Sequence, residues 1–284
     1  MVCLLLFTFS LSIKVHKIYT PPIIDGNLES IWTYGDSIIT FTQWSPHEGQ
    51  ESTESTKVYI VYDEENIYIA FRCVDSQPDE MSINIVPRDC PSSGDIIWIM
   101  LDTFGDKNTA YEFGVNAAGV PIDDKLSDDG RVTDVTWDGV WYSATQITDY
   151  GYNVEMKIPF KTLRFKPGLT EWGINFFRYI SRKNETDTWA PIRQSEGLRV
   201  SRCGILKGIH PGKQGLHLEV YPVALGRYET GKTSPEIGLD LNWSLPSSYF
   251  AITTYPDFAQ IEADPYTINL SKYELYFDER RPFL

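Results

Sequence analysis

Apolar residues in this chain fall in unbroken blocks or at every second position, and rarely at the three-and-four spacing of an amphipathic helix. Lys57 to Asp63 and Ile67 to Val74 are rich in Val, Ile and Tyr, and Asp63-Glu64-Glu65-Asn66 between them predicts a hairpin. Ile96 to Asp102 is apolar almost throughout, the pattern of a strand covered on both faces. Ala110 to Ala117 predicts another strand, closed by Ala118-Gly119. Trp141 to Thr148 and Tyr152 to Ile158 flank Asp149-Tyr150-Gly151, and in the second arm Tyr152, Val154, Met156 and Ile158 alternate with Asn153, Glu155 and Lys157. Trp172 to Ser181 predicts one more strand. Ahead of them all, Asp25-Gly26 marks a turn, followed by a short helical turn carrying Trp32. The economical architecture is all-β, an antiparallel β-sandwich.

The two ends read differently. Met1 to Ile13 is apolar and uncharged, and Lys14, His16 and Lys17 follow. That run is too short for a bilayer-spanning helix and suits the apolar core of a secretory signal, although a basic start is missing. A buried first strand is the alternative. Export is the working expectation, with a leader over 1–18. After Gly215, Ile237, Leu239, Leu241, Trp243 and Leu245 alternate with Gly238, Asp240, Asn242 and Ser244. Pro246-Ser247-Ser248 then turns the chain and Tyr249 to Tyr255 returns. A transmembrane β-strand needs about 9–11 residues of this dyad pattern with aromatic ends, and a half-exposed hairpin shows the same alternation.

Composition narrows the function. The 284 residues carry 25 Lys and Arg against 39 Asp and Glu, a net charge of −14. This excludes a nucleic-acid binder, which needs a basic face, and docking on an anionic lipid surface. Aromatics at 14 % supply a sizeable core. Cys3, Cys73, Cys90 and Cys203 contain no C-x-x-C, so a zinc knuckle is not indicated; Cys73 and Cys90 are either bridged or buried thiols. No H-E-x-x-H, G-x-S-x-G or phosphate loop occurs.

Several phrases then fall in a recognisable order. Ile24-Asp25-Gly26 with Trp32, Val61-Tyr62-Asp63 before Ile67-Tyr68-Ile69-Ala70, Asp95 opening a strand that ends Leu101-Asp102, and Tyr111-Glu112-Phe113 with Val115-Asn116 come first. Glu155-Met156-Lys157-Ile158-Pro159-Phe160 and Trp172-Gly173-Ile174-Asn175-Phe176 complete the set. Over Tyr19 to Gly208 this resembles the family 9 carbohydrate-binding module, a jelly-roll-like sandwich. Leu163-Arg164-Phe165, Arg178 to Glu185, Trp189-Ala190-Pro191, Tyr255 to Pro265 and Phe277 to Phe283 resemble a bacterial envelope family that joins such a sandwich to a C-terminal outer-membrane β-barrel. The resemblance implies a sandwich over 19–210 and the first strands of an incomplete barrel over 211–284.

A sugar module needs flat aromatic faces for the pyranose ring and planar polar groups for its hydroxyls. Candidates are Trp44, Trp98, Trp137, Trp141 and Trp189 with Arg88, Asn116 and Arg178, of which Trp44, Trp98 and Trp189 are taken forward with the polar three. The resembled sites clamp a sugar between two tryptophans. One falls within Cys90-Pro91-Ser92-Ser93-Gly94, which has no aromatic, and the other at Trp189. The family's acidic contact falls near Trp98, its arginine near Gly114, and its asparagine is matched by Asn116. Asp123, Asp124, Asp128 and Asp129 form an acidic stretch that reads as a solvated loop or, as the resemblance implies, as the seat of a structural calcium. The expected function is non-catalytic binding of an oligo- or polysaccharide by an exported envelope protein, serving carbohydrate catabolism, with a glycan and the outer membrane as partners. The alternatives are a structural or gating domain of a barrel protein that binds no sugar, and a glycoside hydrolase.

Overall fold

The computed structural model describes residues 11–90, 94–212, 215, 218–229, 232–245 and 248–254. The chain divides into two compact units, residues 1–216 and 217–284.

The first unit is the expected sandwich. One sheet has nine strands, in the order Ser12–Lys14, Gly204–Lys207, Glu171–Ile180, Ile96–Asp102, Ala110–Asn116, Pro121–Ser127 and Val132–Asp134, with Glu185–Thr188 beside Glu171–Ile180 and Thr42–Ser45 beyond it. The other has six: Tyr142–Thr148, Gly151–Pro159, Asn66–Val74, Thr56–Tyr62 and His16–Lys17, with Ser37–Ile38 also on Thr56–Tyr62. The predicted hairpin closes with Tyr62 opposite Ile67.

Period-two burial builds the core. Ile97, Ile99 and Leu101 point inward, as do Phe113, Val115, Ile174 and Phe176, against Val58, Ile60, Ile69, Phe71, Val154, Met156 and Ile158 of the other sheet. Fully burying such a side chain stabilises by about 1.5–3 kcal/mol. Each sheet is also covered outside. Trp32 and Ile18 pack on Val61, Tyr68 and Ala70, which explains the unbroken apolar runs. Glu155 fastens that cover, accepting bonds from the Asp25 and Gly26 N–H at 2.9 and 2.7 Å and from Trp32 Nε1 at 2.7 Å.

Residues 11–18 correct the leader drawn over 1–18. Ser12–Lys14 runs parallel to Gly204–Lys207, and His16 and Lys17 run parallel to Val61 and Tyr62. Ile13, Val15 and Ile18 are buried, so this segment is part of the sandwich; residues 1–10 lie outside the described residues. Cys73 carries a free buried thiol, so a Cys73–Cys90 bridge is not formed.

The second unit holds a three-stranded antiparallel sheet, Leu218–Glu229, Lys232–Leu245 and Ser248–Thr254. Its register puts Leu218, Trp243 and Phe250 in one row and Val220, Leu241 and Ile252 in the next on the same side. Trp243 and Phe250 have ring centroids 6.2 Å apart, and Leu218, Val220, Ile237, Trp243, Phe250 and Ile252 are exposed. Continuation toward a barrel after Thr254 lies outside the described residues.

Candidate functional site

The outer face of the nine-stranded sheet carries a second aromatic group, set by register. Phe177, Trp98, Gly114 and Ile122 lie side by side on four consecutive strands. The Trp98 and Phe177 centroids are 4.9 Å apart with planes at 4°. That separation matches one strand spacing, about 4.8 Å, so both rings stand upright next to each other. Trp44 leans on Phe177 at 6.4 Å and 60°. Both tryptophans are half-buried.

Phe177 covers one face of Trp98. The other face turns toward the neighbouring strand, where Gly114 has no side chain. Ile122 rises on the strand beyond. Register thus sets Trp98 and Ile122 on either side of Gly114, a narrow slot whose floor is buried. A Cβ at Gly114 would stand 3.3 Å from Ile97 O and Trp98 Cβ and 3.7 Å from Ile122 Cβ, so glycine keeps the floor low. Ile192, Leu198 and Val200 pack over Met100, Ala110, Leu126 and Phe177 alongside. Asp129 pins that cover by accepting from Ser201 N at 2.7 Å and Oγ at 3.1 Å.

One row along, Met100, Glu112 and Asp124 are neighbours. Among the described residues, the enclosed Glu112 Oε1 and Asp124 Oδ1 meet no protein donor other than each other. Burial, then repulsion from Asp124, pushes the Glu112 carboxyl well above the usual carboxylate range. Burial also pushes Asp124 up to about 6. Two adjoining carboxyl groups cannot both ionise freely, so the pair keeps a proton to higher pH than either would alone.

The structure brings only part of the expected site residues together. Trp98 and Trp44 share the outer face. Asn116 is buried and already engaged: Oδ1 accepts from Ala118 and Val120 N–H at 3.0 and 2.9 Å, and Nδ2 donates to Asn84 O at 2.9 Å, so it shapes the turn after its strand. Arg88 is held by Asp123 and Asp138 and approaches Asp89 at 3.4 Å. Arg178 and Trp189, expected to face a ligand, are inside the sandwich. Arg178 occupies an inward position opposite Ile97 and donates to Ser55 O and Thr56 Oγ1, both at 3.2 Å. Trp189 is 5 % exposed and packs on Phe176 at 5.7 Å. Phe177, Gly114 and Glu112 escaped the sequence reading. Their signal is the even-numbered set of Ile96–Asp102, Trp98 and Met100, whose partners only cross-strand register identifies.

The four aspartates do not converge. Asp123 is taken by Arg88 and by the Gly139 N–H. Asp124, its neighbour on a strand, points to the opposite face. Asp128 faces Arg131 and Asp129 faces Ser201. Among the described residues, no group of three His, Cys, Asp or Glu side chains could hold a metal ion.

Residues 24–196 match the family described as carbohydrate family 9 binding domain-like. Residues 216–284 match a domain of unknown function, DUF5916. Exoglucanase XynX of Acetivibrio thermocellus is 28 % identical over 151 residues, which are 53 % of this chain and 13 % of that protein. Endo-1,4-beta-xylanase A of Thermoanaerobacterium saccharolyticum is 30 % identical over 146 residues, 51 % of this chain and 11 % of that protein. The chain therefore spans a small part of the length of these relatives. A solved family 9 carbohydrate-binding module from Caldicellulosiruptor kristjanssonii in complex with cellotriose gives a TM-score of 0.50 at 20 % identity, covering 72 % of this chain and 95 % of that one. A Bacteroides uniformis protein named for carbohydrate binding gives 0.56 at 12 % identity, covering 70 % and 99 %. At these identities the likeness speaks for the fold alone.

Proposed function

Because this chain belongs, through residues 24–196, to the carbohydrate family 9 binding domain-like family, we propose that it binds an oligo- or polysaccharide without cleaving it, in the slot beside Trp98. One observation carries this reading: an upright, half-buried tryptophan, braced by Phe177, stands beside Gly114, which adds no side chain between it and Ile122. A pyranose ring is about as thick as an aromatic ring and its apolar face stacks on indole. Glu112 and Asp124 at the end of the slot accept from hydroxyl donors. The cellotriose complex of the Caldicellulosiruptor relative supports a glucan-type ligand.

We read the chain as an exported envelope protein whose C-terminal unit opens an outer-membrane barrel. The apolar, aromatic face of the three-stranded sheet supports this, because lipid-facing strands alternate in that way. Affinity electrophoresis of the whole chain in gels holding soluble xylan or β-glucan tests sugar binding. Retardation that disappears in Trp98→Ala supports the reading. Equal mobility with and without polysaccharide favours a structural domain of a barrel protein.

A further inference from the structure

The slot has acids at one end and, among the described residues, no base paired with them. Glu112 lies two residues before Gly114 and Asp124 two residues after Ile122 on the antiparallel neighbour, so both stand one row along on the same face. Two residues of extended chain cover about 7 Å, the distance from the centre of a stacked sugar ring to its outer substituents. Among the described residues, no Lys or Arg forms an ion pair with Glu112 or Asp124. Lys125 points to the other face, over the Trp137 and Tyr111 rings at 4.9 and 5.5 Å. Arg88 is surrounded by Asp89, Asp123 and Asp138, and Arg199 approaches Asp129 at 3.8 Å. The other groups acting on the pair are Asp89, Asp123 and Asp134, all acidic, and Cys203, whose thiol is itself influenced by Glu112.

We propose that Glu112 and Asp124 select the ligand by charge: the slot prefers a sugar ring carrying a protonated amino group over a neutral ring, and a neutral ring over a uronic acid. This rests on the carbohydrate-binding reading above. An ammonium donates to both carboxyl groups, takes the place of their shared proton and lies against the Trp98 ring. A uronate meets like charge in a partly enclosed site, where Coulomb terms are stronger than in water. A neutral ring makes hydroxyl bonds alone.

The pair's own titration supplies the control. With Asp124 pushed up to about 6 and Glu112 raised well above its ordinary range, the pair carries more charge at pH 6.5 than at pH 4.5. Uronic acids keep their charge at both values, and the amino groups of the glucosamine trimer, more weakly basic than a lysine, are largely protonated at pH 6.5 and fully at pH 4.5, so a narrower spread at the lower pH reports the protein's pair and not the ligand. The experiment is calorimetric titration of the whole chain with cellotriose, a glucosamine trimer and trigalacturonate, at pH 6.5 and 4.5. The expected order at pH 6.5 is glucosamine trimer, cellotriose, trigalacturonate, each step about tenfold or more. At pH 4.5 the unmodified chain still binds cellotriose and the spread falls below about threefold; the double variant Glu112→Gln/Asp124→Asn narrows the spread in the same way at pH 6.5. Cellotriose and trigalacturonate binding equally at pH 6.5 overturns the selection and leaves the carbohydrate reading standing. Flat heats for all three at millimolar concentration overturn both.

Discussion

Trp98 lies flat against Phe177, with centroids 4.9 Å apart and planes 4° from parallel. The two residues sit directly opposite each other on neighbouring strands, so the backbone ladder fixes the orientation of the indole before any ligand arrives. A platform of this kind loses little freedom on binding.

Removing the indole separates binding from folding. Trp98→Ala is expected to weaken sugar binding by about 2 kcal/mol or more, as for a central aromatic anchor. Because Trp98 is half-buried, stability falls by only about 1–3 kcal/mol. Chemical denaturation beside the gel-retardation assay checks both numbers. A variant that unfolds outright contradicts the placement of Trp98 outside the main core.

Raising the floor tests the slot itself. In Gly114→Ala the added methyl group stands at 3.3 Å from Ile97 O and Trp98 Cβ. Stability is expected to change by about 1 kcal/mol or less, while binding weakens roughly tenfold because the ring can no longer sit between Trp98 and Ile122. Unchanged affinity in a folded Gly114→Ala chain places the ligand elsewhere.

Arg178 acts within the fold. It is fully buried, donates to Ser55 O and Thr56 Oγ1, and faces the Tyr152 ring at 5.7 Å. Its field also acts on Asp95 and Asp187. Arg178→Met leaves those buried acids uncompensated, at a cost of about 3–5 kcal/mol. Urea midpoints measure the loss. A near-neutral substitution contradicts the role assigned to this arginine.

Stability should peak at mildly acidic pH. Burial, then repulsion from Glu185, pushes Asp187 up to about 7. Burial likewise raises Asp95, Glu112 and Asp124. Between about pH 4 and 7 the folded chain keeps protons that the unfolded chain has released, so stability falls as pH rises through that window, by up to about 1.4 kcal/mol per pH unit for each group. Glu54 and Asp75, lowered by Lys183, Ser76 and Arg182 against the cost of their burial, act the other way and lose their contribution as pH drops below the ordinary carboxylate range. The urea midpoint is therefore expected to be higher at pH 5 than at pH 8, and Asp187→Asn should narrow the difference. A midpoint that climbs steadily from pH 5 to 8 contradicts this assignment.

Local pattern made much of the sandwich legible. Asp63 to Asn66 and Asp149 to Gly151 are turn chemistry between β-rich runs, and both hairpins form there. The strand Ser12–Lys14 was not legible as such. Its partner, Gly204–Lys207, lies far along the chain, and an uncharged apolar run before lysine reads equally well as a leader. The site was half legible. Trp98 lies in a run with no alternation, so nothing local says which face it takes. Arg178 sits in Phe-Phe-Arg-Tyr-Ile, where a charged residue reads as outward-facing, yet acceptors from Ser55 and Thr56 draw it inward. Asn116 matched the expected position, but its bonding capacity is used by its own turn.

The central claim is that a sugar ring stacks on Trp98. Calorimetric titration of cellotriose into the whole chain and into Trp98→Ala measures it directly. Saturable heat in the unmodified chain that disappears in the folded variant is the result this account predicts. The same isotherm in both chains, or no heat at millimolar cellotriose in either, contradicts it.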